Sequence, residues 1–225
     1  MKKIVICFIC FFSTNLFAQV YVYGGLGVTQ LQTDATAAAN QVNSTNTPLV
    51  SATVTRFDTS KVSKNLSLGY SFNKSLSVEI GYANLGSYQQ ALTGTYTNGS
   101  TASYAPNSQI SAYRINGVYT YSFEKIADLL FKFGVSQTSN KVSTYLSAPV
   151  GPSFTTRVTK PFVGIAASKD ITDNVFVRLD WDRYYTNFNY GPDYTDNPAP
   201  TYYGRDVQTQ VTPIDNFYFS VGYRF

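Results

Sequence analysis

From Gln19 to Phe225, large apolar residues return at every second position in run after run, and almost nowhere at the spacing of a helix. Successive side chains of an extended strand point to opposite faces, so this alternation marks strands with one apolar side and one polar side. The closing stretch, Asn216 to Phe225 (NFYFSVGYRF), is one such run. Phe217, Phe219, Val221, Tyr223 and Phe225 share one face, and Tyr218, Ser220, Gly222 and Arg224 share the other. One face suits lipid and the other suits a polar lumen.

The first residues are of another kind. Lys2 and Lys3 precede an apolar run from Ile4 to Phe12, then Ser13, Thr14 and Asn15, then Leu16, Phe17 and Ala18. This is the layout of a secretory signal peptide, residues 1–18, with cleavage expected after Ala18. Cys7 and Cys10 fall inside it and read as apolar filler. The remaining domain, 19–225, then has no cysteine, and the whole sequence has no histidine. That composition excludes disulfides, thiolate metal sites and hydrolysis through a Ser/His or Asp/His pair. Without Lys2 and Lys3, fifteen basic residues face thirteen acidic ones, a net charge of +2 with no nucleic-acid signature. Charged residues make up 13% of the chain and aromatics 16%, where an ordinary soluble domain has about 25% charged. No segment after residue 18 is an apolar stretch long enough for a membrane helix, so a membrane form must be a closed barrel.

Taken in order, the alternating runs predict strands over 19–30, 61–72, 76–85, 109–123, 129–142, 156–169, 175–187 and 216–225. Three connections are tight: 73–75, 124–128, and Asp170 to Asn174, a turn whose Asp and Asn side chains can bond their own backbone. The other four, 31–60, 86–108, 143–155 and 188–213, read as long polar loops, with the first strand expected to continue upward into 31–60 and the second to descend from Ser51 onward. Gly24, Gly25 and Gly27 lack the spacing, helix and lysine of a phosphate loop and indicate close backbone approach or a bulge. Eight strands with connections alternating long and short predict an all-β fold, an eight-stranded antiparallel up-and-down transmembrane β-barrel with both termini on the short-turn side.

Alternation alone does not separate this barrel from a soluble lipid carrier turned inside out. Aromatics at strand ends, Tyr70, Phe72, Tyr119, Tyr121, Phe123, Tyr184, Tyr185, Tyr223 and Phe225, are expected to form interfacial girdles and favour lipid outside. The opposite phase carries small residues and a few charges of both signs, which suits a narrow filled lumen.

The stretch GIAASKDITDNVFVRLDWDRY, Gly164 to Tyr184, followed by the closing SVGYRF, resembles the last hairpin and last strand of the OmpA-like transmembrane domain family. The resemblance implies the barrel fold, an outer-membrane location reached through the periplasm, and a lumen plugged by ion pairs. It also implies that Tyr223 and Phe225 form the signal read by the barrel-assembly machinery. Nothing after Phe225 corresponds to the peptidoglycan-binding domain of longer members, so tethering to the cell wall is not expected.

The lumen-phase charges Glu79, Arg114, Lys132, Arg178, Asp180, Asp182 and Arg224 are expected to form an ion-pair network, because a charge in a low-dielectric interior must be paired. Asp180 and Asp182 lie two apart on one face but have no histidine partner for acid–base work, and no enzyme activity, cofactor or metal is expected. Asp193, Asp196 and Asp206 lack the spacing of a calcium loop. Tyr190, Tyr194, Tyr202 and Tyr203 in the last long loop are candidate contact residues, since tyrosine offers apolar area and a hydroxyl at low entropic cost. The function expected is a monomeric structural and interaction protein, embedded among outer-membrane lipid and lipopolysaccharide. Its four loops would meet host surfaces or phage. The alternative is a small channel of the OmpW type passing small solutes.

Overall fold

The computed structural model describes residues 19–32, 49–96, 99, 101–123, 126–146, 154–188 and 210–225. The segment 1–18, the loop tyrosines 190, 194, 202 and 203 and the acids 193, 196 and 206 lie outside the described residues. The strands among those described are β1 (Gln19–Leu31), β2 (Leu49–Phe57), β3 (Ser60–Ser71), β4 (Leu76–Tyr96), β5 (Thr101–Phe123), β6 (Ala127–Leu146), β7 (Phe154–Asp170), β8 (Val175–Phe188) and β9 (Gln210–Arg224).

All pairings are antiparallel, and the order β4-β3-β1-β9-β8-β7-β6-β5 closes when β5 returns to β4. Eight strands therefore form the barrel and leave no open edge within it. β1 and β9 seal the seam through an unbroken register from Tyr21↔Arg224 to Leu31↔Ile214. The glycine cluster lies here without any bulge: a Cβ on Gly25 or Gly27 would stand 2.0 or 2.1 Å from the carbonyl oxygens of Phe219 and Phe217. Close approach of the two terminal strands is what those glycines permit.

The phases divide as the alternation requires. Leu26, Leu66, Ile80, Ile115, Phe133, Ile165, Leu179, Phe219 and Val221 are exposed on the outside, whereas Ser67, Glu79, Asn116, Lys132, Arg178 and Ser220 are buried inside. A soluble protein would leave such an apolar wall facing water, so its solvent is lipid. At about 3.3 Å per residue and a tilt of about 40°, the run from Phe217 to Phe225 climbs roughly 20 Å, close to the height of an outer-membrane apolar band. At its short-turn end, Tyr70 with Phe72, Tyr121 with Phe123, and Tyr223 with Phe225 stack edge to face.

Two expectations need correction. The stretch 86–108 is not a loop: β4 and β5 stay paired past a bulge at Asn84/Gly86, up to Thr95↔Thr101, and β6 continues beside them to Leu146. β2 adds to the other side of this extension, pairing with β4 from Leu49↔Tyr96 to Phe57↔Gln90, and β9 begins at Gln210. Above the lipid these strands need no apolar face, only paired backbone, so alternation fades while the ladder continues. Second, Tyr184 belongs to no girdle. It is 1% exposed inside the barrel, because it shares the inward phase with Asp182 while Tyr185 takes the outward one.

Candidate functional site

Inside the barrel, at mid-height, three cations and three carboxylates form a closed ring of alternating sign. Arg114 pairs with Asp182, and Asp182 with Lys132. Lys132 reaches Asp180 at 2.6 Å, and Arg178 Nε reaches the same carboxylate at 2.8 Å. Arg178 Nη1 donates to Glu79 at 2.7 Å, and Arg114 closes the circuit at 3.9 Å from Glu79. The ring draws on four strands: Glu79 from β4, Arg114 from β5, Lys132 from β6 and the other three from β8. All six residues are buried.

Each is there because strand period and register aim it inward. Glu79 lies opposite Asn116 on β5 and Gly69 on β3, and Asp182 lies opposite Gly164 on β7, where a Cβ would stand 2.3 Å from the Asp182 carboxylate. Gly164 thus makes room for the Asp182 charge, while the space at Gly69 is taken by the ring of Tyr21.

Tyrosines complete the ring's hydrogen bonding. Tyr21 and Tyr23 donate to Glu79 at 2.9 and 2.8 Å, and Tyr218 donates to Asp182 at 2.6 Å. Arg114 in turn donates to the Tyr23 and Tyr218 hydroxyls at 2.7 and 3.1 Å and to Ser67 at 2.9 Å. Arg178 also lies 4.5 Å over the Tyr23 ring, and Arg114 5.2 Å from the Phe162 ring. Cation–π contacts of this kind strengthen when water is excluded. The charges balance, and tyrosine hydroxyls meet further donors and acceptors of Glu79, Arg114 and Asp182, while Arg178 Nη2 and one Asp180 oxygen are buried with no hydrogen-bond partner among the described residues.

Two different environments flank the ring. Toward the long-connection side lies a packed apolar cluster that includes Leu31, Leu85, Tyr88, Ile110, Phe162 and Ile214. Toward the short-turn side a cavity of about 460 Å³ opens, lined among others by Ser77, Thr120, Asp128, Ser168, Phe176 and Arg178.

The six charges from Glu79 to Asp182 named from the sequence thus come together, but Arg224 does not join them. It pairs with Asp170 at 2.5 Å at the short-turn mouth and lies 4.7 Å over the Phe176 ring. Its strand position is six residues below Tyr218, beyond reach of the ring. Tyr21, Tyr23, Tyr184 and Tyr218 are the residues a charge search misses; their signal is a tyrosine in the polar phase of its strand. Tyr223 and Phe225 are exposed on the outer face at the end of β9.

The outer membrane protein beta-barrel domain family matches residues 8–225. The chain belongs to this family. Its place is the bacterial outer membrane. No match was found among curated proteins. Among solved structures, it is similar to Ail, the attachment invasion locus protein of Yersinia pestis, in complex with the heparin analogue sucrose octasulfate. Identity is 11%, the TM-score 0.51, and the match covers 93% of this chain and 100% of that one. The outer membrane protein OprG from Pseudomonas aeruginosa is similar at 11% identity and a TM-score of 0.50, covering 94% of this chain and 97% of that one. At such identities the likeness is one of fold, and within the family it agrees with the eight-stranded closure seen here.

Proposed function

We propose that this family member is a membrane anchor with a plugged lumen whose extracellular β-extension meets external macromolecules, host surfaces among them. The observation that carries the reading is the continuation of β4 and β5 beyond the apolar belt to Thr95↔Thr101, with β2 alongside. A ladder built past the membrane serves nothing inside it, and paired strands hold a contact surface at less entropic cost than a free loop. Ail, of the same fold, is seen with a heparin analogue, which supports an anionic glycan as the first ligand to try. Tyr190, Tyr194, Tyr202 and Tyr203 are the aromatic contact candidates, and Tyr223 with Phe225 the signal for barrel assembly.

The test is to replace Leu92 to Tyr104 by a two-residue turn and measure attachment of the bearing cells to host-cell monolayers and to immobilised heparin. Attachment is expected to fall at least tenfold while the heat-modifiable gel mobility of the folded barrel is kept. Unchanged attachment by both readouts overturns the reading. Deleting Phe225 is expected to lower the amount of folded protein in the outer membrane.

The alternative, a small-solute channel of the OmpW type, draws on the cavity beneath the ring. The ring and the apolar cluster above it weigh against an open path, and both acids of the Asp180/Asp182 pair are engaged with cations, which also weighs against catalysis. A large, steady conductance in a planar bilayer would overturn the plug.

A further inference from the structure

Charges on the extracellular side of this barrel are not handled alike around its circumference. At the β8–β9 seam, Arg183 makes two bonds to Asp215 at 2.7 and 2.8 Å, and Gln32 adds a third at 2.9 Å. At the β2–β3 junction, Asp58 holds Lys61 at 2.8 Å and Arg56 at 3.4 Å. Among the described residues, the outward face of the β5–β7 wall carries no such ion pair. Between Glu79 and Glu124, and again between Asp128 and Asp170, the sequence has no acidic residue at all. Yet Lys141 on β6 and Arg157 on β7 both point outward from this wall and are exposed. They sit on adjacent strands, with Lys141 opposite Thr155 and Arg157 opposite Ser139, so they are diagonal neighbours on one face. Diagonal positions lie about 7–8 Å apart, within reach of long side chains acting on one ligand.

What lies beneath them identifies the ligand. Descending the same outward face, Gln137 and Thr159 share a side-chain hydrogen bond, and below them come Val135 with Pro161 and Phe133 with Val163. The wall therefore reads, from membrane outward, apolar, then neutral hydrogen-bonding, then cationic. A phosphorylated glycolipid presents its parts in the same order: acyl chains, sugar hydroxyls and amides, phosphates. From Leu129 to Lys169 these two strands carry no carboxylate of their own, so their exposed cations are free to meet phosphate oxygens directly.

We propose that Lys141 and Arg157, with Gln137 and Thr159 below them, form a binding site for the phosphorylated glycolipid of the outer leaflet. The site rests only on the barrel's place in the outer membrane and is independent of the adhesive role of the extension. Arg157 supplies a planar fork that can engage two phosphate oxygens, Lys141 a mobile point charge, and the apolar rows beneath receive the acyl chains.

The experiment reconstitutes the full barrel in vesicles holding equal parts of lipid A with both phosphates and the same lipid dephosphorylated, and measures which co-purifies. The native protein is expected to retain the bisphosphorylated lipid about tenfold over the other. The double variant Lys141→Gln, Arg157→Gln is expected to lose that preference. Its thermal unfolding midpoint in dephosphorylated lipid should match the native one, which shows that the barrel itself is intact. A preference surviving in the double variant, or absent from the native protein, overturns the site. A third arm adds soluble heparin oligosaccharide to the protein in dephosphorylated vesicles. Binding that depends on Lys141 and Arg157, without any lipid-phosphate preference, would assign the pair to an extracellular glycan and likewise overturn the proposal.

Discussion

Within the lipid belt every residue of a strand answers to one of two solvents; in the extension above it, the same strands answer only to their neighbours. β4 shows both regimes. From Leu76 to Tyr82 it alternates outward Leu76, Val78, Ile80 and Tyr82 with inward Ser77, Glu79 and Gly81, whereas beyond Tyr88, the last of its residues in the apolar cluster, it runs through Gln89, Gln90, Thr93 and Thr95. The backbone hydrogen bonds continue through both. The lower half is thus held by a match of side chain to surroundings and the upper half chiefly by backbone pairing, so equal chemical insults should have unequal effects.

The largest effect is expected in the ring. Asp182→Asn leaves Arg114 and Lys132 short of one negative charge in a buried circuit. Breaking a buried pair by removing one partner typically costs about 3–5 kcal/mol. Urea unfolding of the barrel in detergent or lipid should show that loss, and a shift under about 1 kcal/mol would mean the ring is wet and weakly coupled.

This contrast also explains what the sequence made legible. Strand positions, lipid-facing phase and the six ring charges follow from alternation, because burial on two unlike sides writes a period of two into the residue types. Glu79 and Lys132 stand out because a charge in the polar phase of a membrane strand has nowhere to be but the lumen. Gly86 to Ser108 misled because its Ser, Thr and Gln occur equally in loops and in strands that have left the lipid. Tyr184 misled because tyrosine serves interfaces and lumens alike, and only its parity with Asp182 decides. Arg224 shares the inward phase with Tyr218, yet phase says nothing of height, and height separates it from the ring.

A pair of substitutions tests the two regimes directly. Val221→Lys puts a charge on the outward face of β9 amid Phe219 and Tyr223, where about 2–4 kcal/mol of destabilisation is expected at the depth of the midplane. Thr53→Lys puts the same charge on an exposed position of β2, where a change within about 0.5 kcal/mol is expected. Equal losses in the two unfolding experiments would show that the upper ladder is not solvated as its composition says.

Between these in size stands Gly86, at the boundary. Its φ of +101° is one that side-chain-bearing residues rarely adopt, and a Cβ there would lie 2.6 Å from the Lys61 Cβ. Gly86→Ala is expected to cost about 1–3 kcal/mol. The loss should fall on the extension first: amides of Gln89 to Thr95 should exchange faster while those of Val78 to Tyr82 keep their protection.

The smallest effect concerns the join between β2 and β3. The backbone N–H of Asp58 donates to the Gln89 carbonyl at 3.0 Å, and its carboxylate accepts from the Gln89 N–H at 3.1 Å while pairing with Lys61. Partial burial works to raise the pKa of this carboxyl, but the Lys61 ammonium, the Gln89 N–H and Arg56 outweigh it and hold it below the ordinary aspartate value. A depressed pKa in the folded state contributes stability above the unfolded value, near about pH 4, and that contribution is lost as pH falls through the lower folded value. β2 should therefore loosen from β4 in acid before the barrel does. Hydrogen exchange of Thr53 to Phe57, corrected for the intrinsic pH dependence of exchange, should accelerate below about pH 4 in the native protein. Asp58→Asn should show the faster exchange already at neutral pH and little further change in acid. An acid response as large in the variant as in the native chain would place the switch on another group and leave Asp58 a merely structural link between the two ladders.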